Sequence, residues 1–186
     1  MKTKIKSKLF DAIGLTRTIT RLSLEIIEKN KGIDDLAIIG IRTRGAVLAE
    51  RICHQIKSIE GRDLPLGILD ITMYRDDFRN LLEQPKLQKT EIPFDIDDKN
   101  IVLIDDVIYT GRTTRAALEA IMAFGRPRSI KLAVLVDRGG RELPIQPDYI
   151  GKRISVSPGE EISVQMNEVD DIDGVLLIEK PVPRNK

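Results

Sequence analysis

The stretch Ile101-Val-Leu-Ile-Asp105-Asp106-Val-Ile-Tyr-Thr110-Gly111-Arg112-Thr113-Thr114 constrains the fold of this chain more than any other segment. Four consecutive apolar residues, Ile101 to Ile104, suit a strand buried on both faces. Beyond the loop, Arg115-Ala-Ala-Leu-Glu-Ala-Ile-Met122 suits a helix. A buried strand that ends in two acids and turns through a small, hydroxyl-bearing loop into a helix is the kind of junction where open α/β sheets bind ligands.

Each part of the junction has a chemical use. Backbone N–H groups at the start of a helix lack intrahelical partners, and with the positive end of the helix dipole they attract a phosphate, which Thr110 to Thr114 can cradle. Gly111 lets the backbone approach closely. Two carboxylates beside an anion site would repel it, so Asp105 and Asp106 are read as acceptors for sugar hydroxyls or as partners of a magnesium-linked group. A helix cap would account for one acid and leave the other, with the Thr-Gly-x-Thr loop, unexplained. The charge pattern favours a ribose phosphate.

Rival phosphate motifs are missing. Gly40-Ile-Arg-Thr-Arg-Gly45 has the glycine spacing of a P-loop but continues with Ala46-Val47 in place of the required Lys-Ser/Thr. No G-x-G-x-x-G follows a candidate strand, which argues against a dinucleotide-binding fold.

The chain of 186 residues fits one domain, 1–186, with a core that needs no disulfide. Thirty basic residues against 29 acidic ones leave a net charge of +1, so overall charge does not announce a nucleic-acid binder. The single Cys53 excludes an internal disulfide framework and a cysteine-rich zinc site. His54 is adjacent on the same expected helix, where neighbouring side chains diverge by about 100°, so a Cys-His dyad is not expected. The basic start, Met1 to Lys8, precedes no apolar h-region, and no apolar run approaches the roughly 20 residues needed to span a bilayer. A cytoplasmic location is expected.

Leu15, Ile19, Leu22, Ile26 and Ile27 fall at helical spacing, with Asn30-Lys-Gly32 as a stop. Leu36 to Ile41 reads as a buried strand, Arg42 to Gly45 as a tight loop, and Ala46 to Ile56 as a helix. Leu64 to Met73 reads as a further strand. From Tyr74 to Asn100 periodicity is lost, and this stretch, about 74–99, is expected to be a lid. Ile130 to Val136 is another buried strand, Asp137 to Asp148 an irregular cap, and Ser163 to Met166 and Val175 to Ile178 short late strands within a hood of about 137–186. Strands alternating with helices predict an α/β fold with a mostly parallel central sheet, whose ligands gather beyond the strands' carboxyl ends. Four segments meet there: Arg42 to Gly45, the lid, Asp105 to Thr114, and Asp137 to Arg141.

Val102 to Thr113 resembles the signature of the type I phosphoribosyltransferases. Across nearly the whole chain, Gly40 to Gly45, Asp70 to Asp77, Gly125-Arg-Pro, Leu132 to Gly139, Arg141 to Ile145 and Asp148 to Lys152 look like the family of bifunctional pyrimidine operon regulators and uracil phosphoribosyltransferases. The resemblance implies the type I phosphoribosyltransferase fold, uracil and 5-phosphoribosyl diphosphate as substrates, and UMP and diphosphate as products. It further implies Mg2+ carried by substrate near Asp105 and Asp106, binding of pyrimidine operon mRNA under the control of UMP or UTP, and a homodimer or higher assembly.

On this resemblance, Asp105 and Asp106 hold the ribose hydroxyls, and Val107, Tyr109, Thr110, Gly111, Arg112, Thr113 and Thr114 surround the 5-phosphate and sugar. Arg42, Thr43, Arg44 and Gly45 form the diphosphate loop, Arg75 acts from the lid, and Val136, Asp137 and Arg138 shape the base pocket. Catalysis is expected to rest on Asp105, Asp106, Arg44 and Arg75. A separate RNA face is expected from Arg17, Thr18, Arg21, Arg128, Arg141, Lys152 and Arg153. Leu24, Gly140 and Gln146 depart from the pattern of the RNA-binding members, each removing a polar or cationic contact. A phosphoribosyltransferase acting on a purine or orotate, and a non-catalytic nucleotide sensor, are the alternatives.

Overall fold

The computed structural model describes residues 4–74 and 89–179. Its centre is a parallel sheet built from β2 (Leu36–Ile41), β3 (Leu66–Leu69), β4 (Asn100–Ile108), β5 (Ser129–Asp137) and β6 (Tyr149–Arg153), in the order β3-β2-β4-β5-β6. Every residue of β2 is buried, as continuous apolar strands require when helices cover both faces. Residues alternate between two cores. Ile38, Val102 and Ile104 face α1 (Ala12–Asn30) and α2 (Arg44–Glu60), while Ile39, Ile41, Ile101 and Leu103 face α3 (Arg112–Met122). Leu15, Leu22 and Ile26 on α1 are fully buried, each contributing about 1.5–3 kcal/mol.

Local chemistry sets the helix ends. Asp11 caps α1 by accepting from the Gly14 N–H at 2.7 Å, so the helix begins before the Leu15 expected from periodicity. It ends at the expected stop, with Lys31 in the left-handed region at φ 58°. The second helix starts at Arg44, so Arg44 and Gly45 belong to its first turn and not to a free loop. Only Leu66–Leu69 of the expected strand Leu64 to Met73 pairs in the sheet; a 3-10 turn, Thr72–Tyr74, follows.

The other layer is an antiparallel sheet, β1-β8-β7, formed by β1 (Ile5–Phe10), β7 (Glu160–Gln165) and β8 (Gly174–Glu179), with the one-turn helix α4 (Asn167–Asp170) between β7 and β8. The hood therefore differs from the expected 137–186 in two respects. Tyr149–Arg153 belongs to the central sheet, and the N-terminal strand joins the hood. The tail at 180–186 lies outside the described residues.

The later part of the stretch 74–99, expected to be a lid, is anchored to the domain. Glu91 pairs with Ile68 through two backbone hydrogen bonds of 2.7 and 2.8 Å, and Ile96 is 1% exposed in the α3-side core. Residues from Thr90 onward are thus packed against the domain. The stretch 75–88, with Arg75, lies outside the described residues.

Candidate active site

The parallel strands deliver their carboxyl ends to one rim, and the site assembles there. The fourth strand does not stop at the acids but continues to Ile108, pairing Asp105 with Val134 and Val107 with Val136. Asp105 is 7% exposed; its Oδ1 accepts from the Asp106 N–H at 2.9 Å, and Asp106 Oδ1 accepts from the Val107 N–H at 2.8 Å. Burial pushes the Asp106 carboxyl above its ordinary range, opposed by the Val107 N–H, hydrogen bonding with Asp105 and the charge of Arg44.

After the strand, Tyr109 and Thr110 form a short loop, and Gly111, at φ 91°, is the N-cap residue of α3. Arg112, Thr113 and Thr114 therefore stand in the first helical turn, a correction to the five-residue loop expected. Their amides are those a helix leaves unbonded within itself. The hydroxyls are not equivalent: Thr114 is 2% exposed, whereas Thr110 and Thr113 are half-buried, and Thr110 Oγ1 accepts from the Arg112 N–H at 3.3 Å.

Gly45 brings the start of the second helix, with the expected diphosphate loop, against this strand. A Cβ there would meet the Ile104 carbonyl at 2.7 Å and the Asp105 Cα at 3.2 Å, so only glycine lets the second helix start on the acids. Arg44 beside it makes a two-point ion pair with Asp170 of the hood, and Arg42 donates to the Lys89 carbonyl at 3.0 Å. Thr43 is exposed, and the Arg42–Thr43 peptide is cis.

The segment from Asp137 onward is stitched to the loop at Thr110. Glu142 and Leu143 donate their N–H groups to the Thr110 carbonyl at 2.9 and 3.1 Å, and Glu142 pairs with Arg112 at 2.7 Å. Arg138 stacks on the exposed Tyr109 ring at 4.0 Å. Val136 is fully buried and paired to Val107 and Lys152, so its side chain serves the core and not a pocket. The Asp137 carboxylate accepts from the Gly139 N–H and from Arg141. A cleft of about 260 Å³ opens beside it, lined by Asp137, Gly139, Arg153, Ile154 and Ser155.

The expected RNA residues do not form one face. Arg17, Arg21, Lys152 and Arg153 are exposed on the first helix and β6, where Arg21 donates to the carbonyls of Ile150 and Gly151. Thr18 is buried, its hydroxyl donating to the Gly14 carbonyl. Arg141 keeps 14% of its side chain exposed and donates to Asp137 and to the carbonyls of Tyr109, Gly139 and Ile145. Arg128 pairs with Asp35, at the amino ends of the strands. Sequence reasoning missed Asp170, Glu142, Ile154 and Ser155; none carries a local cue, because each reaches the site through tertiary contacts.

Residues 7–168 match the phosphoribosyl transferase domain. Curated relatives named bifunctional protein PyrR align over almost the full length. The protein from Pelotomaculum thermopropionicum is 55% identical over 94% of this chain and 96% of its own, and that from Acetivibrio thermocellus is 53% identical over 95% and 97%. This chain belongs to the PyrR family of phosphoribosyltransferases. Solved structures agree on the fold. A hypoxanthine-guanine phosphoribosyltransferase from Bacillus anthracis superposes with a TM-score of 0.70 at 19% identity, covering 94% of this chain and 99% of that one. The Trypanosoma cruzi hypoxanthine phosphoribosyltransferase gives 0.73 at 15%, covering 95% and 96%. The type I phosphoribosyltransferase fold expected from sequence is the fold observed in this PyrR-family member.

Proposed function

We propose that this chain converts uracil and 5-phosphoribosyl diphosphate into UMP and diphosphate. The observation that carries the reading is the single rim where Asp105 and Asp106, the open first turn of α3, and Arg44 meet. In transfer at the anomeric carbon, the bond to diphosphate breaks as the bond to the uracil nitrogen forms, through an oxocarbenium-like centre. The protein therefore has to position groups and neutralise the leaving charge.

Asp105 and Asp106 accept from the ribose 2- and 3-hydroxyls, their carboxylates already oriented by backbone amides. The amides from Gly111 to Thr114, with the Thr110 and Thr113 hydroxyls, hold the 5-phosphate. Arg42 and Arg44 bind the diphosphate. Arg42 Nε and Arg138 Nε are buried without a hydrogen-bond partner among the described residues, and such orphaned donors fit sites that take an anion or a polar ligand. Uracil occupies the cleft beside Asp137, lined further by Gly139, Arg153, Ile154 and Ser155. Arg75 acts from outside the described residues.

No group of three or more His, Cys, Asp or Glu side chains suited to a metal occurs among the described residues. Two adjacent carboxylates fit a magnesium ion that arrives on substrate oxygens and keeps much of its water. Bound there, Mg2+ would neutralise part of the diphosphate charge.

We also propose that the exposed strip of Arg17, Arg21, Lys152 and Arg153 contacts pyrimidine operon mRNA, with UMP or UTP in the ribose-phosphate site favouring attenuation. The working form is a cytoplasmic homodimer or larger assembly; among the described residues no helix is long and apolar enough to cross a membrane.

Turnover of labelled uracil, run beside hypoxanthine, guanine and orotate, tests the enzyme assignment; product from another base alone overturns uracil. Salt titration of leader-RNA binding with and without UMP tests regulation. Affinity equal to that for scrambled RNA at physiological salt overturns it.

A further inference from the structure

Arg44 opens α2 and Asp170 closes α4, yet they are joined side by side. Arg44 Nε lies 3.1 Å from Asp170 Oδ2 and Nη2 lies 2.6 Å from Oδ1. This fork-to-fork geometry fixes the plane of the guanidinium as well as its place. Asp170 is held in turn, its Oδ2 accepting from the Met166 N–H at 2.9 Å. The guanidinium is thus anchored through a carboxylate that has little freedom of its own.

The same helix carries a second such clamp two turns on. Arg51 reaches Asp173 at 2.7 and 3.1 Å and Glu168 at 2.5 and 2.9 Å. A spacing of seven residues puts Arg44 and Arg51 on one face, and both bind the turn between β7 and β8. Their surroundings differ. Arg51 joins helix to hood away from the acids, whereas Arg44 adjoins Gly45, which rests on Asp105, and it feels the charge of Asp106. The Arg44 side chain also keeps 35% of its surface exposed. Two of five guanidinium donors are taken by Asp170, and the group remains within reach of solvent at the rim.

Resting on the transfer reading above, we propose that Asp170 is a positioning residue, holding the Arg44 guanidinium at the rim so that diphosphate meets an arginine already ordered. An unanchored arginine must give up rotamer freedom when an anion binds it. Asp170 has removed that loss beforehand. The Arg51 clamp secures the hood without touching the rim, so the two pairs should separate in experiment.

The test is calorimetric titration of the full chain with diphosphate and with 5-phosphoribosyl diphosphate, beside steady-state kinetics and thermal melts, for wild type, Asp170→Asn, Asp170→Glu and Asp173→Asn. The expected result for Asp170→Asn is diphosphate affinity weakened by about tenfold and KM for 5-phosphoribosyl diphosphate raised by a similar factor, with kcat changed by less than about threefold. Asp170→Glu recovers part of the affinity. Asp173→Asn lowers the melting temperature and leaves diphosphate affinity unchanged. Wild-type or tighter affinity in Asp170→Asn overturns the proposal, as does an equal loss in Asp173→Asn. Should Asp170→Asn fail to fold, wild-type affinity in Asp170→Glu overturns it equally. If wild type binds neither ligand, the transfer reading falls and takes this one with it; if wild type binds and Asp170→Asn matches it, only this one falls.

Discussion

Gly45 lies against the backbone of Asp105 so closely that a methyl group between them has no room. Its missing Cβ would sit 2.7 Å from the Ile104 carbonyl oxygen and 3.2 Å from the Asp105 Cα. Both neighbours are main chain in the middle of a sheet, which cannot step aside as a flexible side chain can. Gly45→Ala is therefore expected to cost about 1–3 kcal/mol and to push Arg44 away from the acidic pair. Urea unfolding measures the first effect and diphosphate titration the second. Wild-type stability together with wild-type affinity would show that helix and strand do not meet in this way.

Asp106 should trade stability for function. Burial holds its native pKa above the ordinary value, so the sign follows from linkage. Below about pH 3.9 the carboxyl is protonated in both states and contributes nothing. As pH rises past that value, the unfolded chain ionises more readily than the native one, and stability falls until the native carboxyl ionises too. Asp106→Asn removes this slope. It is expected to withstand more urea than wild type at neutral pH, to match it in acid, and to lose about 10²–10³-fold in transfer rate. A destabilised Asp106→Asn at neutral pH would contradict the buried-charge account.

Gly140 stands where the RNA-binding pattern has a polar residue, and the structure gives that departure a physical form. Its φ is 72°, and a Cβ would lie 2.4 Å from Tyr109 Cε2. Gly140→Ala is expected to cost about 1–2 kcal/mol from backbone strain and to move Tyr109 out from under Arg138. Raised KM for uracil with RNA affinity unchanged is the expected pattern. Gain of RNA affinity without any change in KM would disprove the Tyr109 link.

Cys53 packs half-buried against the α1 and α2 core, and burial, with Glu50 and Asp63 nearby, pushes its thiol up to about 12. At neutral pH the native protein holds no appreciable thiolate. Iodoacetamide is expected to leave Cys53 unmodified until the chain is unfolded, as mass spectrometry would register. Rapid alkylation of the native form would refute this packing.

Sequence order exposed the inner strands because Leu36 to Ile41, Ile101 to Ile104 and Ile130 to Val136 are apolar enough to be buried whatever lies beside them. Tyr149–Arg153 escaped notice: it is short, ends in two exposed cations, and becomes a strand only by pairing with β5. The first strand, Ile-Lys-Ser-Lys-Leu-Phe, is exposed over four of its six residues and is ordered by β8 from the far end of the chain. Among the proposed site residues, Asp105, Asp106 and the Thr110 to Thr114 segment stand out in the sequence because one local segment carries all their chemistry. Arg141 misled. Read singly it was a surface cation, and only the fold shows its donors spent on Tyr109, Asp137 and Ile145.

The sequence by itself determined the α/β class and the family, and it marked the strand-end junction proposed to hold a ribose phosphate, because hydrophobic periodicity and a contiguous motif are local properties that survive without coordinates. Tertiary structure alone decided that Asp170 grips Arg44, that Gly45 rests on Asp105, and that the segment at Glu142 and Leu143 is sewn to Thr110. Those relationships join residues far apart along the chain, and each depends on which side chains the packed sheet and hood bring within hydrogen-bonding distance.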